Sequence, residues 1–207
     1  MDYYKAGEER FGKITSRIYS VSAKLFLRKI YSYVIEDVIT HRPSSVLDIG
    51  CGEGYILLNL ANRLPKAKLY GIDPSIYMIK SARKETAKLH GFGPIFEQGS
   101  SRDIPFKRHF DFISSSMSFH HWKDRDKSIP YILRHLNPGG IFSIYEYNRD
   151  AMTGLFRLMS QHSVASSDFM NINHRGFCKT IKTSGKFIKI SFVDEKKDRQ
   201  RVPSKFD

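Results

Sequence analysis

Between residues 45 and 147, short β-rich runs alternate with stretches whose apolar residues recur at helical spacing. The β-rich runs are SVLDIG (45–50), KLYGID (68–73), PIFEQG (94–99), FDFISSS (110–116) and GIFSIYEY (140–147). The helical stretches lie at 54–63, 75–90 and 124–136. Strands that alternate with helices form a parallel sheet with helices on both faces. The sequence therefore predicts an α/β fold.

Both ends of the chain add elements to this core. Apolar residues three or four apart between residues 10 and about 40 predict amphipathic helices that cover it. Pro138-Gly139-Gly140 is expected to stop a helix and turn the chain into the fifth strand. Two later β-rich runs meet at Ser184-Gly185, a link too short for a parallel return, so we expect a hairpin with one antiparallel strand at the sheet edge.

These patterns predict a single domain of 207 residues with four parts. They are cap helices at 1–42, a core at 43–148, a segment and terminal hairpin at 149–193, and a polar tail at 194–207. The hydrophobic content of 41% and aromatic content of 13% fit a globular protein with a real core.

The composition also indicates where such a chain works. No apolar run reaches the roughly 18 residues of a membrane span, and the first residues do not form a secretory signal. We therefore expect a cytoplasmic protein. Cys51 and Cys178 lie far apart in the sequence, which predicts neither a disulfide framework nor a zinc site, and no metal is expected.

The charge is strongly positive, at +13, and much of the excess lies near the end of the chain. Residues 171–207 hold ten Lys and Arg against four Asp and Glu. Such a surface favours anionic partners, nucleic acid among them, but it equally fits a solvated face and tail.

The run VLDIGCGEGY (46–55) places three glycines directly after a buried strand. Gly50, Gly52 and Gly54 permit a sharp turn and let a ligand approach the main chain. A dinucleotide fingerprint would need glycine in place of Tyr55, and the Gly-Lys-Ser/Thr of a Walker loop is absent. A phosphate-binding role is therefore disfavoured.

Two carboxylates indicate the ligand. Asp73 closes the second predicted strand, where an acid accepts hydrogen bonds from both ribose hydroxyls. Asp48 places negative charge beneath the glycine turn, which suits a sulfonium or ammonium group better than a pyrophosphate. S-adenosylmethionine has a ribose, a sulfonium and an amino group but no phosphate.

With YGIDPS, FDFISSSMSFHHWKD and HLNPGGIFSIYEYN in this order, the glycine run resembles the class I S-adenosylmethionine-dependent methyltransferases. SFHHWKDRDKSIPYILRHLNPGG is most similar to the small-molecule, type 11 group seen in ubiquinone and menaquinone biosynthesis. The resemblance covers residues 43–148. It implies a Rossmann-like, seven-stranded, mostly parallel sheet with an antiparallel terminal strand and extra amino-terminal helices.

The resemblance also implies the cofactor site. The expected cofactor-binding residues are Tyr19, Asp48, Gly50, Cys51, Gly52, Asp73, Pro74, Ser75, Met78, Ser100, Ser101, Ser115 and Met117. In relatives an acid often follows the third strand, where this chain has Gly99-Ser100-Ser101. A hydroxyl accepts hydrogen bonds more weakly than a carboxylate, so binding is expected to depend more on Asp73 and on apolar packing by Ile104.

Methyl transfer from a sulfonium needs alignment and exclusion of water, and a general base is optional. His120, His121, Glu146 and Tyr147 follow the fourth and fifth strands, at the edge where ligands bind. We take His120 and Tyr147 as the catalytic candidates.

Three functions remain open at this level. The first is methyl transfer to a small-molecule acceptor. The second is an RNA or protein methyltransferase that uses the basic carboxyl-terminal third, although the Asn/Asp-Pro-Pro-aromatic motif that grips a flipped base is missing. The third is a non-catalytic partner subunit that only binds the cofactor. The oligomeric state is left open.

Overall fold

A computed structural model describes residues 27–89, 93–153 and 163–195. Its strands form one sheet in the order β3-β2-β1-β4-β5-β7-β6. The strands are β1 Ser45–Ile49, β2 Lys68–Asp73, β3 Ile95–Gln98, β4 Phe110–Ser116, β5 Leu136–Tyr147, β6 Phe177–Ser184 and β7 Phe187–Asp194. Strands β1 to β5 are mutually parallel, and β7 runs antiparallel to both of its neighbours. The expected seven-stranded, mostly parallel sheet is confirmed.

Helices cover both faces of this sheet, as the alternation predicts. They are α1 Arg28–His41, α2 Tyr55–Arg63, α3 Ile76–Thr86 and α4 Arg125–Leu133. Buried apolar residues of α1, α2 and α3 pack in one hydrophobic cluster, and buried apolar residues of α4 pack in the other. Of the expected amino-terminal helices, α1 is confirmed, whereas residues 10–26 lie outside the described ranges.

The chain path creates a crevice at the carboxyl ends of the central strands. From β1 the chain moves outward through β2 to β3 and then returns to β4 on the other side of β1. In open α/β sheets, ligands bind at this switch point. All five residues of β1 are buried because helices cover both faces of a parallel strand.

The fifth strand begins earlier than predicted. Helix α4 ends at Leu133 and β5 starts at Leu136, so Pro138-Gly139-Gly140 lies inside the strand and is not a turn ahead of it. The pairing of β5 with β4 shifts register between Phe110 and Phe112. A bulge absorbs the extra residues there, and Gly139 contributes a φ of 71°.

The antiparallel strand is not at the sheet edge, where we expected it. Strand β7 lies between β5 and the edge strand β6. Its alternate residues Ile188, Ile190 and Phe192 are buried, whereas β6 carries exposed polar residues toward the turn. The more apolar strand of the hairpin takes the inner position because it buries more surface there.

Candidate functional site

The glycine turn after β1 is held rigidly against β2. The main-chain nitrogens of Gly50 and Cys51 both donate to the carbonyl oxygen of Ile72, at 2.8 and 3.0 Å. The nitrogen of Gly54 donates to the Cys51 carbonyl at 2.9 Å and leads into α2. All three glycines have positive φ, which other residues adopt at a cost.

Only the middle glycine faces open space. A Cβ at Gly50 would lie 2.3 Å from Ser118 Oγ, and one at Gly54 would lie 2.4 Å from the Phe96 ring. At Gly52, whose φ is 54°, no protein atom lies within 4 Å of that position. Gly50 and Gly54 are therefore small because the protein itself packs against them, and Gly52 is the glycine that leaves room for a ligand.

Asp73 lies beside this open main chain, at the tip of β2. Its Oδ2 accepts from Gly52 N at 3.0 Å and its Oδ1 accepts from Ser75 N at 2.8 Å. Burial raises the pKa of this carboxyl to about 6, although both hydrogen bonds act to lower it. Each oxygen of a carboxylate has two acceptor positions, and the described residues occupy one on each oxygen of Asp73.

Asp48 lies in β1 just before the glycine turn, and its side chain is buried. Ser114 Oγ donates to Asp48 Oδ1 at 2.8 Å, from the neighbouring strand β4. Burial raises the pKa of Asp48 to about 7, against the Ser114 hydrogen bond, and the charge of Asp73 raises it further. A cation bound beside these two carboxyls would favour their ionised forms.

Cys51 is not arranged as a nucleophile. Burial, together with the charges of Asp73 and Asp48, raises the pKa of its thiol well above the ordinary value. The sulfur lies 3.7 Å from the Gly52 carbonyl oxygen, to which the thiol donates. A thiol held neutral in this way contributes small size and packing to the turn.

The residues expected near adenine lie at the start of α3. Ser75 is the cap of this helix, and its Oγ accepts from Met78 N at 3.5 Å. Gln98 Nε2 donates to the Pro74 carbonyl at 2.8 Å and fixes the turn after Asp73. Pro74, Ser75 and Met78 are thus brought together with Asp73.

The two serines after β3 are used within the protein. Ser100 Oγ accepts from Arg102 N at 3.2 Å, in a turn that Ser100 and Asp103 close through their main chains. Ser101 Oγ bonds Ser128 Oγ of α4 at 3.1 Å. Ser101 therefore directs its hydroxyl toward a helix.

The end of β4 contains an unsatisfied hydroxyl and a strained residue. Ser115 Oγ bonds Ser118 Oγ at 2.9 Å. In the described part of the chain, Ser116 Oγ is buried and has no hydrogen-bond partner. Met117 adopts a φ of 53°, which is uncommon for a residue with a Cβ and is found most often at functional sites.

The two catalytic candidates are not brought together. His120 Nδ1 lies 2.9 Å from Glu146 Oε2, within hydrogen-bond distance, and both side chains are buried. Tyr147 projects to the other face of the sheet, since successive strand residues alternate, and its ring lies 5.3 Å from that of Phe187. Burial raises the pKa of the Tyr147 hydroxyl. His120 therefore pairs with Glu146 and not with Tyr147.

The other expected residue, Tyr19, lies outside the described residues. Sequence reasoning missed Ser118 and Phe96, whose side chains leave no room for a Cβ at Gly50 and Gly54. No local pattern marks either residue, because each meets its glycine from a distant part of the chain.

Part of the basic surface has a structural use. Lys179 Nζ donates to the carbonyl oxygens of Phe169 and Met170 at 2.6 and 3.1 Å. Lys189 Nζ pairs with Asp37 of α1 at 2.5 Å. These two lysines of the terminal hairpin therefore stabilise the fold.

Two absences concern only the part of the chain that the structure describes. No helix there is long and apolar enough to cross a membrane. No group of three or more His, Cys, Asp or Glu side chains in those residues is arranged to hold a metal ion.

Comparison with known proteins agrees with this geometry. A family model described as a methyltransferase domain matches residues 46–140. Trans-aconitate 2-methyltransferase of Pseudomonas aeruginosa is 32% identical over 118 residues, which cover 56% of this chain and 40% of that protein. Demethylmenaquinone methyltransferase of Deinococcus radiodurans is 28% identical over 130 residues, 61% of this chain and 54% of that protein. The chain spans about half the length of these relatives.

Solved structures share the fold. A SAM-dependent methyltransferase from Aquifex aeolicus matches with a TM-score of 0.71 at 18% identity, over 89% of this chain and all of that one. The plantazolicin methyltransferase BpumL, in complex with a triazolic desmethylPZN analog and SAH, matches with a TM-score of 0.64 at 16% identity, over 88% of this chain and 95% of that one. Residues 46–140 thus match a methyltransferase domain in sequence, and the sheet shares the fold of solved methyltransferases.

Proposed function

We propose that this chain binds S-adenosylmethionine at the carboxyl ends of β1 and β2 and transfers its methyl group to a small-molecule acceptor. The observation that carries the proposal is the pair formed by Gly52 and Asp73. An open stretch of main chain with no Cβ lies directly beside a buried carboxylate that keeps acceptor capacity. The names of the two relatives, which refer to trans-aconitate and to a menaquinone precursor, support an acceptor of small-molecule class.

The residues of the crevice fit this cofactor chemically. Asp73 would accept hydrogen bonds from the ribose hydroxyls, and the open face at Gly52 would lie against the methionine part. The two acids with raised pKa, Asp48 and Asp73, would be drawn into their charged forms by the ammonium and sulfonium groups. The cofactor site is thus electrostatically matched to a cation.

The reaction needs little covalent chemistry from the protein. The bound cofactor supplies a methyl group on a sulfonium, so the acceptor–carbon bond forms as the sulfur–carbon bond breaks, and sulfur keeps the electron pair. The rigid glycine turn and Asp73 hold the donor in line. If the acceptor atom carries a proton, His120 takes it, since its ring follows β4 at the same edge.

The test is cofactor binding followed by methyl transfer. Calorimetry with S-adenosylmethionine and with S-adenosylhomocysteine should show binding of both. Methyl-labelled cofactor is then incubated with the protein and, separately, with a low-molecular-weight cell extract, total RNA or total protein. Label in the extract is expected. Label only in RNA or protein would support the second function, and binding without any transfer would support a partner subunit.

Binding to heparin gives a further test of the nucleic-acid alternative. Lys182 remains exposed on the terminal hairpin, while Lys179 and Lys189 are held by the fold. Weak retention that is lost at modest salt is expected for a small-molecule enzyme. Strong retention with a steep salt dependence would favour a nucleic-acid substrate.

A further inference from the structure

We propose that Glu146 is a positioning residue, which holds His120 in the orientation and proton state that lets the imidazole Nε2 take the acceptor's proton. This inference rests on the proposed function and deepens it. It assigns a role to a buried acid that the cofactor site does not use.

The first support is the number of contacts that one carboxylate makes to one histidine. Glu146 Oε1 accepts from the main-chain nitrogen of His120 at 3.2 Å, and Oε2 accepts from its Nδ1 at 2.9 Å. The Glu146 side chain has no exposed surface, and that of His120 is 4% exposed. Both oxygens are therefore committed to the same residue, which fixes the ring relative to its own backbone.

A second side chain holds the remaining main-chain group of His120. Arg125, at the start of α4, donates from Nη2 to the His120 carbonyl oxygen at 3.2 Å. Its guanidinium lies over the Phe119 ring, 4.6 Å from the centroid. Phe119 in turn stacks on Phe169 with ring centroids 5.0 Å apart. The short turn that carries His120 is thus fixed from α4 and from the core.

The third support is the direction of the hydrogen bond. An ionised carboxylate only accepts, so the Nδ1 that faces Glu146 carries a proton. In the neutral ring the lone pair then belongs to Nε2. When His120 takes a proton there, the imidazolium faces the Glu146 carboxylate, which stabilises it. Among the described residues, His121 lies against the ring, with ring centroids 4.0 Å apart, and Arg125 contacts the His120 carbonyl oxygen.

The placement of Glu146 in β5 is specific. Tyr145 and Tyr147 project to the face covered by α1, so Glu146 projects to the face that carries the His120 turn. Register pairs Glu146 with Ile188 of β7, which belongs to the core, and the strand on that side is fully paired. An acidic residue therefore lies at a buried strand position opposite a buried apolar residue.

The experiment is a double-mutant cycle in the full chain with saturating S-adenosylmethionine. The variants are Glu146→Leu, Glu146→Gln, His120→Asn and the Leu/Asn double variant, with Glu97→Gln, an exposed ion-paired acid, as the control. The acceptor is the extract fraction that takes up label. We expect kcat to fall about 100-fold in His120→Asn and in Glu146→Leu, and by about the same factor in the double variant.

Glu146→Gln keeps an acceptor oxygen for Nδ1 and should recover most of the lost kcat. Cofactor affinity by calorimetry should stay within about twofold in every variant, because no contact to the cofactor side is changed. Losses that multiply in the double variant, or full kcat in Glu146→Leu, would overturn the proposal.

A second measurement does not depend on the acceptor. In protein labelled with nitrogen-15 histidine, the ring resonances of His120 are assigned by their absence in His120→Asn. Wild type should show Nδ1 protonated and Nε2 unprotonated, and Glu146→Leu should lose this pattern. A wild-type ring protonated only at Nε2 would refute the inference, whereas failure of methyl transfer with the expected ring pattern would count against the proposed function alone.

Discussion

Each end of the sheet contains a carboxylate that accepts hydrogen bonds from the main chain, and the two differ in what they leave unused. At the amino end, Asp111 accepts from the nitrogens of Ser44 and Ser45, from Ser45 Oγ and from Asn137 Nδ2, at 2.7 to 3.1 Å. At the carboxyl end, Asp73 accepts from two nitrogens of the described residues, and burial raises its pKa.

The serines at the two ends differ in the same way. Ser45 Oγ donates to Asp111 and accepts from the Asp111 nitrogen. Ser116 Oγ, at the other end, is buried without a partner in the described part of the chain. At the amino end, the hydrogen bonds of Ser45 and Asp111 stabilise the fold. At the carboxyl end, the buried Ser116 hydroxyl makes no such bond within the described residues, which costs stability.

The largest expected effect tests the charge held at the carboxyl end. Because burial raises the folded-state pKa of Asp48 to about 7, from an ordinary value of 3.8, its stability contribution is complete below about pH 4 and is lost as pH rises through 7. At about 1.4 kcal/mol per pKa unit, Asp48→Asn should be more stable than wild type by about 2–4 kcal/mol at pH 8 and nearly equal at pH 4.

Urea unfolding of the protein without cofactor, at both pH values, measures this difference. The same variant should bind S-adenosylmethionine more weakly at pH 8, since one negative charge is gone. Equal unfolding free energies at pH 8 would mean that Asp48 is not held in an unfavourable environment.

The next effect separates the two carboxylates. Asp73→Ala should lower S-adenosylmethionine affinity by about 1.5–3 kcal/mol, roughly 10- to 150-fold, because the ribose loses a charged acceptor. Asp111→Ala should lower the free energy of unfolding and leave affinity unchanged. Calorimetry and urea unfolding on both variants check this, and equal affinity losses would remove the distinction between the two ends.

A matched pair of glycines tests the open main chain. Gly52 and Gly185 have φ values of 54° and 56°, and neither has a protein atom within 4 Å of its Cβ position. Valine at either position should carry a similar backbone cost of about 1–2 kcal/mol. Only Gly52→Val should also weaken cofactor binding, by about 1–3 kcal/mol, because the side chain would occupy ligand space. Normal binding by this variant would place the ligand elsewhere.

The smallest effect concerns the two serines. Ser45→Ala should destabilise the protein by about 1 kcal/mol, since Asp111 loses a donor and its nitrogen loses an acceptor. Ser116→Ala removes an unsatisfied hydroxyl and should be neutral or stabilising by up to about 1 kcal/mol. Thermal unfolding of the two variants gives the comparison, and a destabilised Ser116→Ala would show that this hydroxyl already has a partner.

The parts of the fold that follow from local periodicity could be predicted from the sequence. The strands, the helices and the hairpin at Ser184-Gly185 each depend on a few neighbouring residues. The inner position of β7 depends instead on which strand of the hairpin buries more apolar surface against β5. The bulge at Pro138-Gly139-Gly140 depends on the pairing of β5 with Phe110 and Phe112 on either side of it, and neither feature has a local signal.

The candidate site also combines features that the sequence predicts with features that depend on distant contacts. Gly52 and Asp73 were predicted because a strand, a glycine turn and a second strand tip place them together by topology alone. The Ser118 hydroxyl against Gly50 and the Phe96 ring against Gly54 depend on contacts between distant segments. The sequence predicts that His120 and Glu146 lie at the same edge of the sheet. Their hydrogen bond joins residues from two different strands' ends and is seen only in the structure.

The ion pair between Asp37 and Lys189 has a consequence for how the chain folds during synthesis. It joins residues 152 positions apart, and the Tyr145 hydroxyl donates to the same carboxylate. Helix α1 is made early, yet the cation that neutralises Asp37 arrives only with β7, after every other strand of the sheet. Before β7 has been synthesised, the Asp37 carboxylate lacks the positive charge of Lys189. We therefore expect α1 to dock on the sheet late in folding.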